Sequence, residues 1–139
     1  MIVLDTSVVL AFMNRVDNEH ESVRTWIAGL REELVTTPLA VAEMDHLSER
    51  FGGAAAAEAL WRDLEAGAYA VEWWEGAVHE SVRVARRYAP ASLGLTDASL
   101  VALAARISTT RIATLDQRHF RAVQPLTGEA AFTLLPADR

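Results

Sequence analysis

Four carboxylates in this sequence stand where one element gives way to the next. Asp5 closes the apolar run MIVLD, and Asp116 closes RIATLD. Asp97 opens an amphipathic stretch just after the loop Ser92-Leu93-Gly94-Leu95. Glu43 lies about one and a half turns into a helix that begins near Pro38. If the fold brings these acids to one edge, the chemistry they support is metal-assisted. Magnesium is a hard ion that prefers oxygen ligands and keeps water beside a few carboxylates. A pair of such ions can activate water and stabilise a leaving oxygen on phosphorus. Taken singly, each acid has a plainer reading: Asp5 and Asp97 as helix caps, Glu43 as a helix-surface acid, Asp116 as the start of a turn. The weight lies in their recurrence, an apolar strand followed by an acid at both ends of the chain.

The elements that must position these acids can be read from the hydropathy pattern. Strands are expected at residues 1–5, 34–37, 69–74, 111–115 and 131–135. Between them fall helical stretches at 8–13, 20–31, 54–66 and 75–89, and one opened by Thr96-Asp97. The helix begun at Pro38 is expected to stop at Gly52-Gly53, and residues 119–123 to form one turn. Inward faces are expected at Leu39, Ala42 and Leu47, at Val78, Val82 and Ala85, and at Leu100, Leu103, Ala104 and Ile107. Strands alternating with helices predict an α/β fold: one domain over residues 1–139, its mostly parallel sheet flanked by helices on both faces. Ligands of such sheets bind beyond the carboxyl ends of the strands.

Composition removes several alternatives. The chain has 139 residues, 51% hydrophobic and 23% charged, which suits a globular core. It has no cysteine, which excludes disulfides, cysteine-zinc sites and thiol catalysis. All 13 basic residues are arginine. Without lysine there is no P-loop, no kinase site and no Schiff base. His20, His46, His79 and His119 show no metal-ligand spacing, so zinc is not expected. The net charge is −6, divided as −7 over residues 1–70 and +1 over residues 71–139. An acidic total opposes long-range attraction to nucleic acid but suits a site that concentrates carboxylates. No run is apolar enough to span a membrane, and the opening segment lacks a basic leader region, so a soluble, cytoplasmic protein is expected.

Four segments, MIVLDTSVVLAF, TPLAVAEM, LTDASLVALA and IATLDQRHF, resemble the PIN domain family, and within it the VapC-type toxins of bacterial toxin–antitoxin pairs. The resemblance spans nearly the whole chain. It implies an endoribonuclease that cuts structured RNA, transfer or ribosomal, with Mg2+ or Mn2+. It matches Asp5, Glu43, Asp97 and Asp116 to the family's acidic quartet, Asp5 and Asp97 foremost as metal ligands. Thr6 or Ser7 matches the hydroxyl beside the first aspartate, positioning water or phosphate. It further implies a homodimer, neutralised by a small VapB-like antitoxin whose tail enters the acidic site, often with an arginine. Operator DNA would be reached only through that antitoxin.

Other features keep two readings. Arg83, Arg86 and Arg87 share a helix face that is either solvated or a track for RNA phosphates. Trp73-Trp74 either stack on bases or divide between core and interface. His119 either steers substrate or packs. A non-catalytic RNA- or protein-binding module of the same fold is the alternative function. A phosphoaspartate mechanism ranks lower, because it would normally set a lysine opposite the acids.

Overall fold

Short, largely apolar segments of two or three residues build the sheet. In the computed structural model, which describes residues 1–139, the strands are β1 (Ile2–Leu4), β2 (Leu34–Thr36), β3 (Ala70–Val71), β4 (Arg111–Ala113) and β5 (Thr133–Leu135). They form one sheet in the order β3-β2-β1-β4-β5, and every neighbouring pair is parallel. Parallel neighbours need crossover connections. These contain α1 (Thr6–Met13), α2 (His20–Ala28), α3 (Pro38–Glu65), α4 (Ala77–Arg87), α5 (Leu95–Arg106) and α6 (Gln117–Arg121). From β1 the chain steps to β2 and β3, then returns across β1 to lay down β4 and β5. Right-handed crossovers in opposite directions put helices on opposite faces. The central strands are buried, as a sheet covered on both faces requires: Ile2, Val3 and Leu4 of β1 and Ile112 and Ala113 of β4 are all 0% exposed.

Two expectations are corrected, and one holds. The helix begun at Pro38 breaks at Gly52-Gly53 as expected: α3 is two helical segments meeting at a kink, where Gly53 leaves helical geometry at φ 70°, ψ −168°, and the second segment runs to Glu65. That combination is nearly exclusive to glycine, so the chain bends there without a loop. Replacing Gly53 with Ala is expected to cost about 1–3 kcal/mol, read as a lower urea midpoint with an unchanged slope. Strand β3 is two residues rather than six, because it is an edge strand beside a partner of only three residues. Trp73 and Trp74 lie past its end, with rings tilted at 53° and centroids 5.8 Å apart.

The second correction concerns faces. Helix α3 buries Ala40, Met44 and Ser48, whereas Leu39 and Leu47 are half-buried and Ala42 is exposed. Helix α4 buries Ala77, Ser81 and Val84, and Val78 is 59% exposed. Small side chains on that inner face let α4 lie close along α5, the most extensive helix–helix contact in the molecule. Close backbone approach, rather than the heavier valines, sets the face of α4. Helix α5 is buried all round from Ala98 to Ala104, as a central helix must be.

Candidate active site

Strands β1 and β4 are neighbours at the point where the strand order reverses, which is where open α/β sheets hold ligands. Their carboxyl ends are joined by backbone and by hydroxyls. The Asp5 amide donates to the Ala113 carbonyl at 2.9 Å. Its carboxylate is 4% exposed, and one oxygen accepts from both Ser7 Oγ and Thr114 Oγ1, each at 2.7 Å. The same two hydroxyls accept main-chain donors in return. The Leu115 amide donates to Ser7 Oγ at 2.9 Å, and the Asp116 amide donates to Thr114 Oγ1 at 3.0 Å. Asp5 is therefore held from two strands at once.

None of the three aspartates spends its side chain on a helix cap. Asp5 and Asp116 hold the N-cap positions of α1 and α6 but make no side-chain cap bond. Asp97 lies in the first turn of α5, where Gly94 is the N-cap. Its carboxylate meets His119 Nδ1 at 2.9 Å, and the same nitrogen lies 3.0 Å from Asp116. His119 thus clasps two acids that the chain brings from separate elements. The start of α5 is fixed from the other side. The Ser99 hydroxyl donates to the Thr96 carbonyl at 2.6 Å, leaving its lone pairs to accept from Thr37, the N-cap of α3, at 2.8 Å.

Electrostatics bind the three acids into one unit. Burial pushes the Asp5 carboxyl well above the usual range, and its hydroxyl donors offset only part of that. Asp97 is pushed up to about 6, first by burial and then by the nearby Asp5 charge, against the pull of His119. Asp116 adds a like charge to both.

The sequence-expected residues divide accordingly. Asp5, Asp97, Asp116 and Ser7 come together. Thr6 does not join them: its hydroxyl is turned toward the Ala40 carbonyl at 3.4 Å, so Ser7 is the hydroxyl on Asp5. Glu43 is half-buried on α3, one position from the buried Met44, and makes no ion pair or hydrogen bond with the aspartates. Thr114 was not expected, although it stands two residues before Asp116 and so on the same side of an extended segment. His119, open to two readings from the sequence, sits against Asp97 and Asp116.

The donor set suits a hard divalent ion: crowded carboxylates, hydroxyls and no sulfur. The raised carboxyls of Asp5 and Asp97 are what a nearby cation would relieve. No three acidic or histidine groups stand arranged as a ready-made metal cage.

A doubly wound parallel α/β domain with a carboxylate-centred site at its switch point is the class these features define. The chain belongs to the PIN domain family, whose model matches residues 2–124. Within it the chain is VapC-type. It is 35% identical over 136 residues to Ribonuclease VapC26 of Mycobacterium tuberculosis, covering 97% of this chain and all of that protein. Its fold matches VapC20 of M. tuberculosis, described as a sarcin-ricin loop cleaving toxin, with a TM-score of 0.79 and 20% identity over 86% of this chain and 92% of that one. FitAcB from Neisseria gonorrhoeae matches with a TM-score of 0.63 and 26% identity, over 88% of this chain and 92% of that one.

Proposed function

We propose that this protein is a Mg2+- or Mn2+-dependent endoribonuclease, the toxin of a VapBC-type pair, acting on structured RNA such as transfer or ribosomal RNA. The observation that carries the reading is the coupling of Asp5, Asp97 and Asp116 at the sheet's switch point. The ribonuclease named among its relatives supports RNA as the substrate. Asp5 and Asp97 are the foremost ligands, with Asp116 and Glu43 as further acids. When bound, the ion supplies an activated water and charge neutralisation at the scissile phosphate. The chain's own residues supply position. Ser7 and Thr114 hold the Asp5 carboxylate in one orientation, and His119 restrains Asp97 and Asp116 against their mutual repulsion.

The same acids suit inhibition. An antitoxin arginine would offer a bidentate fork to a carboxylate and relieve the same crowding. A homodimer, a cytoplasmic setting and contact with operator DNA only through the antitoxin complete the proposal. No helix of the protein is long and apolar enough to cross a membrane.

The test is cleavage of total RNA by antitoxin-free protein with Mg2+ or Mn2+, with and without chelator. Discrete fragments that vanish on metal removal are expected. No cleavage by the folded protein in either metal would overturn the nuclease reading and favour a binding module.

A further inference from the structure

The arginines of α4 lie beside a groove that the site above does not use. Arg83, Arg86 and Arg87 line it with Glu80, Val84 and Leu126, enclosing about 660 Å³. All three arginines are exposed, and none makes an ion pair. The one acid in the lining, Glu80, is engaged by the Trp74 indole N–H at 3.0 Å. Arg87 is steadied over the Tyr88 ring, 5.4 Å from its centroid. At helical spacing of three and four these like charges repel. Glu80 sets one negative charge among three positive ones, and no ion pair neutralises the arginines, so the groove is net basic although the protein carries a net charge of −6.

The groove's place in the fold gives it a partner. Helices α4 and α5 are joined by only residues 88–94 and pack along each other, so they form an antiparallel hairpin. The last turn of α4, with Arg86 and Arg87, therefore lies at the same end of the hairpin as the first turn of α5, with Asp97. The Tyr88 hydroxyl accepts from the Gln124 amide at 3.3 Å, tying that end to the segment after α6, which carries His119. An anion held by Arg86 and Arg87 would thus sit toward the end of the hairpin that carries Asp97.

We propose that the Arg83–Arg86–Arg87 groove binds backbone phosphates of the RNA strand flanking the cleaved bond. This rests on the ribonuclease reading, and it separates the two tasks by charge. The acidic site repels a polyanion. A basic track beside it supplies the attraction that the acidic total denies.

The test uses Asp97→Asn protein, chosen to leave RNA uncut, in Mg2+ buffer. The probes are a labelled 20-nucleotide single-stranded RNA and a labelled RNA stem-loop. Affinity is measured from low to physiological salt for this protein and for versions carrying Arg83, Arg86 and Arg87 all changed to Ala, or all to Lys. The Ala version is expected to bind roughly tenfold more weakly, with a salt slope smaller by about 2. The Lys version should recover most of the slope. Changing Arg15, Arg31 and Arg50 to Ala should alter neither. An unchanged slope in the Ala version, while the parent binds RNA and wild type cuts it, overturns the groove alone. A parent that binds neither RNA, with wild type that cuts none, overturns the nuclease reading and the groove together. Unchanged RNA affinity with loss of a co-expressed antitoxin would assign the groove to a protein partner and overturn the proposal.

Discussion

Replacing Asp97 with Asn is expected to make the protein more stable and inactive at once. The folded-state carboxyl is pushed up to about 6 from an unfolded value of 3.8. Between those values the folded chain holds a proton that the unfolded chain has released. Stability therefore falls as pH rises through that window, and the loss is complete by pH 7. Asn cannot ionise, so the variant should escape the loss. The full shift corresponds to about 3 kcal/mol. Asp97 is partly solvated, and screening reduces the expected gain at pH 7.5 to roughly 1–2 kcal/mol. On a chain of this size that is about 3–6 °C in Tm. Two effects oppose it, the lost charge toward His119 and the lost favourable anion near the start of α5. The pull of His119 ranks below burial and the Asp5 charge, and an anion in the first turn of a helix is worth only about 0.3–1 kcal/mol, so the gain wins.

RNA cleavage by the same variant should fall by at least ~100-fold. Adding Mg2+ should raise the melting temperature of wild type and not of Asp97→Asn. Thermal melts at pH 4 and pH 7.5, with and without Mg2+, separate these effects. A variant no more stable than wild type at pH 7.5 would show that Asp97 is not strained.

Much of this arrangement was legible because sheet-forming residues advertise themselves locally. The runs around Ile2–Leu4, Leu34–Thr36 and Thr133–Leu135 are apolar and β-branched, and such runs have little choice of environment. Their alternation with helices is a property of order along the chain, which the sequence displays directly. The acids at Asp5 and Asp116 were visible for the same reason, since each terminates a run.

What escaped depends on contacts between distant residues. Periodicity located helix α4 but put Val78 inside. The true inner face is built on Ala77 and Ser81, because a close neighbour helix rewards smallness rather than bulk. His119 is 22 residues from Asp97 in sequence, and nothing local to either names the other. Thr114 and Asp5 are 109 residues apart, and only the pairing of β1 with β4 makes a threonine on one strand the donor to an acid on the other.

Asp5→Asn and Ser7→Ala separate charge from position at the centre of the site. In Asp5→Asn the amide oxygen can accept both hydroxyls that the carboxylate now accepts, with the amide nitrogen in place of the other carboxylate oxygen. The clamp between β1 and β4 survives, while a buried charge that desolvation opposes is gone. The fold should therefore hold or gain slightly in stability, and RNA cleavage should fall by at least ~100-fold. Ser7→Ala does the reverse. The charge stays, but Asp5 loses a donor and the Leu115 amide loses its acceptor. That amide is only part-buried, so leaving it without an acceptor costs about 1 kcal/mol, the low end for an unsatisfied donor. Loss of one donor also pushes the Asp5 carboxyl higher still, since that hydrogen bond holds it down. Stability should fall, and cleavage by roughly 10–100-fold, as for other groups that orient a ligand. Higher Mg2+ should recover part of the loss in Ser7→Ala and none in Asp5→Asn. If Ser7→Ala cuts RNA as fast as wild type while Asp5→Asn does not, the Ser7 hydroxyl serves the fold alone, and Thr114 suffices to orient Asp5.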